Sequence, residues 1–316
     1  MRLIIRDDDR TTCSYVANYI IKRIKTFDPT PERPFVLGLP TGSSPLGVYR
    51  ELVAAYRAGS ISFKNVVTFN MDEYVGLDPS HPQSYRSFMH ENFFQHVDIP
   101  PTQINMLNGT SPSLTSECRS YEEKIRSYGG VELFLGGIGE DGHIAFNEPG
   151  SSLASRTRVK TLARGTIDAN SRFFDNDPNK VPRMALTVGV ATVLEAREIV
   201  LIITGQRKAL ALSKCIEEGV NHLWTVSAIQ LHPWALVCCD RDATMELRVK
   251  TVEYFRSIES AQEEVEVLQA KAEAAASSGK MRNGSGLANG HGYGHGREEE
   301  AGVDGAMDVG RNGHPR

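Results

Sequence analysis

FVLGLPTGSSPLGVYRELVAAYRAG, residues 35–59, changes its periodicity at residue 41. The opening FVLGLP is a short apolar run of strand length, whereas PLGVYRELVAAYRAG repeats its apolar residues at helical spacing. Between them Thr41, Gly42, Ser43 and Ser44 make a small polar turn. Ser44 suits the N-cap of the helix and Pro45 its first position. Strand, tight turn and helix in succession form half of a parallel crossover unit.

The unit recurs along the chain. NVVTFNM (65–71), VELFLGGIG (131–139), REIVLIITG (197–205) and WALVCCD (234–240) are further β-rich runs. SYVANYIIKRIKTF, SECRSYEEKIRSYG and QRKALALSKCIEEG are further helical stretches. This alternation predicts an α/β fold in three layers, a mostly parallel Rossmann-like sheet with helices on both faces. Ligands of such sheets bind at the carboxyl ends of the strands, so the residues that follow each run carry the functional information.

Composition narrows the partners. With 316 residues, 40% of them hydrophobic, the chain has ample material for a buried core. A formal net charge of −4 without a long basic block speaks against nucleic acid or a membrane surface as partner, and an anionic ligand then needs a local basic site. MRLIIRDDDR has too short an apolar run for a signal peptide or anchor, which predicts a cytoplasmic protein. The five cysteines are odd in number and lack CxxC spacing, so they read as reduced thiols. Composition shifts once. Residues 275–316 hold 11 of the 28 glycines and no Ile, Phe or Trp, which predicts a disordered tail behind a single catalytic domain at 1–274. His291 and His295 in that tail read as solvated residues.

Four stations follow the strand runs. The turn Thr41–Ser44 offers amides and hydroxyls at a helix N-terminus, an anion cradle or an ordinary capped turn, and it lacks the lysine of a P-loop and the spacing of GxGxxG. MDEYVGL sets Asp72 and Glu73 at a strand end, where one carboxylate faces the crevice and the other a helix or solvent. The crevice acid is a general base for a carbon-bound proton, or else a turn acid or helix cap. GIGEDGHIAFNEPG (137–150) packs Asp141, His143 and Glu148 between glycines. A histidine between two carboxylates suits a proton relay, and the same residues also fit a metal site or a polar turn. Arg172, in the polar stretch DANSRFFDNDPNKVPR, reads as part of a mobile loop or lid, and Lys208 opens a helix after REIVLIITG. Both are suited to neutralise an anion. An anion grip, a carboxylate base and a relay, with no GxSxG and no clustered metal ligands, point to proton-transfer chemistry on a phosphorylated small molecule, such as an aldose to ketose conversion.

LGLPTGSSPLGVYREL, VVTFNMDEYVGL, LFLGGIGEDGHIAFNEPGSSLASRTRVKTL, NSRFFDND and TGQRKALAL together resemble the glucosamine-6-phosphate deaminase family from Met1 to about Ser260. Ser43 stands where that family often has a second glycine. The resemblance implies a phosphosugar-isomerase fold, no metal and no organic cofactor. It implies that His143, supported by Asp141 and Glu148, opens the sugar ring of glucosamine 6-phosphate. Asp72 then moves the C2 proton to C1, and water releases ammonia and fructose 6-phosphate. Thr41, Gly42, Ser43, Ser44, Arg172 and Lys208 would hold the phosphate. Members regulated by N-acetylglucosamine 6-phosphate are hexamers, and their activator site corresponds to Ser151, Arg158, Lys160, Thr161 and Tyr254. A homohexamer is the expected assembly. Two other classes compete: a 6-phosphogluconolactonase-like enzyme, which MDEYVGL and DGHIAFNE argue against, and a silent sugar-phosphate sensor, which would have lost proton-transfer residues that are present here.

Overall fold

The computed structural model describes residues 1–282. Its strands are β1 (Arg2–Arg6), β2 (Phe35–Leu39), β3 (Val66–Asn70), β4 (Asp72–Tyr74), β5 (Ile104–Asn105), β6 (Leu133–Gly136), β7 (Arg158–Thr161), β8 (Met184–Thr187), β9 (Ile199–Ile203) and β10 (Ala235–Asp240). The α-helices are α1 (Asp9–Phe27), α2 (Ser43–Arg57), α3 (Tyr85–Asn92), α4 (Leu114–Ser127), α5 (Arg164–Asn170), α6 (Val190–Leu194), α7 (Ala209–Ile216) and α8 (Val249–Arg282). Seven strands form one parallel sheet in the order β1-β10-β9-β6-β2-β3-β5.

Alternation of side chains along each strand fills two cores. In β9, Ile199, Leu201 and Ile203 enter one core while Val200 and Ile202 enter the other. The first core also takes Tyr121 and Ile125 of α4 and Leu212 of α7; the second takes Val16 and Ile20 of α1 and Val48 and Leu52 of α2. Helices therefore cover both faces, and the expected three-layer α/β fold is what the chain adopts. The five sequence-read strands are β2, β3, β6, β9 and β10. From β2 the chain runs outward to β3 and β5, and from β6 it runs the other way to β9 and β10. The switch in direction lies between β2 and β6, where such sheets open a crevice at their carboxyl edge.

Three differences from the sequence reading bear on the site. A second, antiparallel sheet, β4-β8-β7, stands beyond the carboxyl end of β3, so the Asp72 station is itself a strand paired with Thr187. The stretch around Arg172 is not a plain loop: α5 leads into a 3-10 turn at Ser171–Phe173. At the C-terminal side the compact unit closes at Glu263, within α8, and α8 continues to Arg282, so the boundary expected at 274 coincides with neither. The remainder of the expected tail, with His291 and His295, lies outside the described residues. Among the described residues no helix is long and apolar enough to cross a membrane.

Candidate active site

The anion end is built from two strand-to-helix turns. Helix α2 starts at Ser43, with Gly42 as its N-cap at φ 111° and no capping side chain. Ser44 is thus inside the first turn rather than at the cap, and Pro45 is the helix's third residue; the cap falls on Gly42, whose positive φ glycine adopts without steric cost. The first amides of α2 are left without a side-chain acceptor, the condition for holding an anion. Ser44 is buried, and its Oγ accepts a hydrogen bond of 2.8 Å from Nζ of Lys208. Lys208 reaches it from the 3-10 turn after β9. That turn is fixed by Gly205, at φ 87°, whose N–H donates to both carboxylate oxygens of Asp240 at 2.9 and 3.0 Å. Burial lowers the Lys208 pKa; Glu140, Asp240 and Asp9 oppose that shift, and the charge of Arg172 adds to it. Arg172 itself is exposed, with its guanidinium 4.7 Å over the ring of Phe173. The structure brings Ser44 and Lys208 into contact and sets Arg172 within their electrostatic reach.

The adjacent acids at the end of β3 have different surroundings. Glu73 Oε1 accepts from the backbone N–H of Tyr74 (2.9 Å) and Tyr85 (3.0 Å), and Oε2 accepts from that of Arg86 (3.0 Å). It is spent on the N-terminus of α3. Asp72 is only 7% exposed and its carboxylate makes no hydrogen bond among the described residues. Burial, reinforced by the charge of Glu73, pushes its pKa up to about 8. A buried, unspent carboxylate with a high proton affinity has the properties of a general base for a carbon acid.

The loop after β6 supplies the third component. Nδ1 of His143 lies 2.6 Å from Oδ1 of Asp141; the ring N–H does not point squarely at that oxygen, so the contact is close and off-axis. Burial raises the Asp141 pKa, but hydrogen bonding to and the charge of His143 outweigh it and hold the carboxyl below its ordinary value. A carboxylate this close to Nδ1 suits orienting the imidazole and selecting its tautomer. Backbone bonds close the loop on itself, Gly139 N–H to His143 O at 2.9 Å and Gly142 N–H to Gly139 O at 3.1 Å. A Cβ at Gly139 would lie 2.3 Å from the His143 ring and 2.7 Å from Asp141 Oδ1. Gly142, at φ 74°, lies under Trp224, where a Cβ would be 2.6 Å from the indole.

Glu148 is buried at 5% exposure, and its Oε1 accepts from Ala163 N–H (2.8 Å) and Thr166 Oγ1 (2.6 Å) at the start of α5. The sequence reading set it beside His143; its hydrogen bonds go to α5 instead. Phe146 and Asn147, between the two, are also anchored: Phe146 N–H donates to Thr187 Oγ1 at 3.0 Å, and Asn147 Nδ2 donates to Ile144 O and Val188 O at 2.9 and 2.8 Å. Asp72 pairs with the same Thr187 across β4 and β8, so the base and the histidine loop share one anchor. Asn147 was not found in the sequence, and which of the two strand-end acids turns to a helix was left open there. Asn147 lies between two motif residues but carries no charge, and Glu73 is adjacent to Asp72 and of the same chemical class.

Of the residues expected at a second site, Arg158, Lys160 and Thr161 lie on β7, with Arg158 and Lys160 on one face. Ser151 is buried at 4% exposure, and its Oγ has no hydrogen bond among the described residues. Tyr254 is on another element, α8, 59% exposed and packed edge-on against Phe255. Among the described residues no three His, Cys, Asp or Glu side chains are grouped to hold a metal ion.

The profile of the family described as glucosamine-6-phosphate isomerases/6-phosphogluconolactonase matches residues 7–245. A glucosamine-6-phosphate deaminase of Mannheimia succiniciproducens is 61% identical over 260 residues, which cover 82% of this chain and 97% of that one. Among solved structures, a monomeric glucosamine-6-phosphate deaminase superposes with a TM-score of 0.74 at 39% identity, covering 78% of this chain and all of its own. The 6-phosphogluconolactonase of Trypanosoma cruzi superposes at 0.63 with 17% identity over 78% of this chain and 96% of its own, which shows the fold alone.

Proposed function

The chain belongs to the family of glucosamine-6-phosphate isomerases and 6-phosphogluconolactonases, and we propose that it acts there as a glucosamine-6-phosphate deaminase. Glucosamine 6-phosphate and water become fructose 6-phosphate and ammonia. The observation that carries this reading is the coexistence of a buried, unspent Asp72 with the His143–Asp141 pair and the Ser44–Lys208 anion grip at one sheet edge.

The phosphate takes the free amides of Thr41–Ser44 together with Lys208 and Arg172, which fixes the sugar relative to the two proton-transfer groups. His143, oriented by Asp141, moves a proton between the anomeric hydroxyl and the ring oxygen and opens the ring. Glu148, held at the α5 N-terminus, supports that step from the far end of the loop. Asp72 then removes the C2 proton and returns it to C1, giving a ketose imine that water hydrolyses. Each general acid or base contributes about 10²- to 10⁴-fold. A lactonase hydrolyses an ester and leaves the C2–H bond untouched, so the reading of Asp72 as a base for the C2 proton separates the two family activities. A sugar-phosphate sensor has no use for a base and relay together.

Incubation with glucosamine 6-phosphate and assay of both products tests the proposal. Stoichiometric ammonia and fructose 6-phosphate are expected, and hydrolysis of 6-phosphogluconolactone without ammonia release from the amino sugar would overturn it. The setting we infer is cytoplasmic amino-sugar catabolism.

We also propose a regulatory site for N-acetylglucosamine 6-phosphate at Ser151, Arg158, Lys160, Thr161 and Tyr254, completed in a homohexamer. It is supported by the unsatisfied, buried Ser151 hydroxyl and the two cations on one face of β7. Light scattering and kinetics with and without that ligand test it, and a monomer with hyperbolic, ligand-independent kinetics would end it.

A further inference from the structure

We propose that Asn147 is a positioning residue for this reaction: its carboxamide clamps the His143–Glu148 loop to Arg158 of β7, so that the hold on both catalytic residues is set from β7. The inference rests on the deaminase reading of the site.

The side chain of Asn147 is fully buried, and its amide nitrogen and its carbonyl oxygen are both engaged. Both Nδ2 protons go to carbonyls, Ile144 O at 2.9 Å and Val188 O at 2.8 Å, while Oδ1 accepts from the Arg158 guanidinium at 2.8 Å. Its backbone carbonyl accepts from Thr225 Oγ1 at 2.8 Å. These contacts bracket the chemistry. Ile144 directly follows His143, and Asn147 directly precedes Glu148. Within the bracket Ala145 is held at φ 52°, a left-handed conformation that a residue with a Cβ keeps only where its surroundings impose it.

Arg158 is the other half of the clamp. It is half-buried, burial lowers its pKa, and among the described residues it has no carboxylate within ion-pair distance. Its hydrogen bonds go to the neutral Asn147 and to the carbonyl of Arg156 at 3.3 Å. An aspartate at 147 would suit the guanidinium better but would set a carboxylate against the Ile144 and Val188 carbonyls. Only a carboxamide donates twice and accepts once in that volume. The choice of asparagine therefore serves the loop and β7 together.

The test is steady-state kinetics with glucosamine 6-phosphate, without activator, on the wild type, Asn147→Ala, Asn147→Asp, Arg158→Ala and the Asn147→Ala/Arg158→Ala double variant. Each single change is expected to lower kcat roughly 10- to 100-fold while KM stays within about threefold, because the Ser44–Lys208 grip is untouched. The double variant is expected to be no slower than the slower single variant, since both remove one contact. Effects that multiply, or kcat within about twofold of wild type, would overturn the proposal. Should Asn147→Ala not fold, Arg158→Ala decides alone: lost kcat at unchanged KM upholds the clamp, and unchanged kcat refutes it. A wild type that releases no ammonia removes the deaminase reading and this inference together, whereas an active wild type with indifferent variants removes this inference only.

Discussion

Nζ of Lys208, on the turn after β9, donates to Oγ of Ser44, on the first turn of α2, at 2.8 Å across 164 residues of sequence. The contact joins two strand ends into one anion site and leaves the lysine further N–H donors. Hydrogen bonds to charged groups contribute about 1.5–3 kcal/mol, so Lys208→Met is expected to raise KM for glucosamine 6-phosphate roughly 10- to 150-fold with a smaller change in kcat. Ser44→Ala, which removes a neutral partner, is expected to raise KM only about threefold. Initial-rate measurements check both, and an unchanged KM in Lys208→Met would remove the lysine from the phosphate site.

The surroundings of Asp72 set the pH response. Burial, then the neighbouring Glu73, raises its pKa to about 8, so in the free enzyme the carboxyl is mostly protonated at neutral pH. The base form is the ionised one. The rate constant kcat/KM is therefore expected to climb about tenfold per pH unit below that value and to level off above it. Asp72→Asn is expected to lower kcat by about 10²- to 10⁴-fold at pH 8 and above, a deficit that narrows at lower pH as the wild type loses its base form. A flat profile between pH 6 and 8 in the wild type would mean that Asp72 is already ionised at pH 6, and an Asp72→Asn variant with the wild-type rate would deny it the role of base.

The same shift has a cost in stability, with a definite sign. The folded-state pKa lies above that of an unfolded aspartate, so between the two values the folded protein binds the extra proton. Raising the pH through that window removes the proton and weakens the fold. Asp72→Asn, which never ionises, is expected to melt above the wild type at pH 8 and to converge with it near pH 4. A gain of about 1 kcal/mol corresponds to roughly 2–4 °C in a domain of this size, readable by calorimetry. Equal melting temperatures at pH 8 would mean that Asp72 is better solvated than its burial indicates.

Legibility in the sequence followed physical range. Ile199–Ile203 is five apolar, mostly β-branched residues in a row, of a length that suits a buried strand, and the helix that follows the Thr41–Ser44 turn showed in its own periodicity. β1 was missed because its apolar run is short, and it is held by pairing with β10. The small sheet was missed for a related reason: RVKT in β7 has no strand signature, and its conformation comes from the ladder with β8. Asp72 and Glu73 were both legible as strand-end acids. Which of them faces the crevice depends on the N-terminus of α3 and on Thr187, both distant in sequence. The bonds of Glu148 to α5 were beyond reach for the same reason.

The glycines of GIGEDGHIAFNEPG separate into those that serve the relay and those that do not. At Gly137 an added Cβ meets nothing within 4 Å, whereas at Gly139 it would lie 2.3 Å from Cε1 and 2.5 Å from Nδ1 of His143. It would also lie 2.7 Å from Oδ1 of Asp141, close to both members of the pair. The imidazole is 23% exposed and the Asp141 side chain 43%, so both can swing aside without disturbing the core. Gly139→Ala is therefore expected to separate the pair and lower kcat about 10²-fold or more, while the melting temperature changes by no more than roughly 3 °C. Gly137→Ala is the matched control, and its kcat is expected to stay within about twofold of wild type. Parallel melting curves and ammonia-release assays on the two variants check this. Equal activity in both would mean that His143 does not need Asp141 at its side, and the ring-opening role given to the pair would fall.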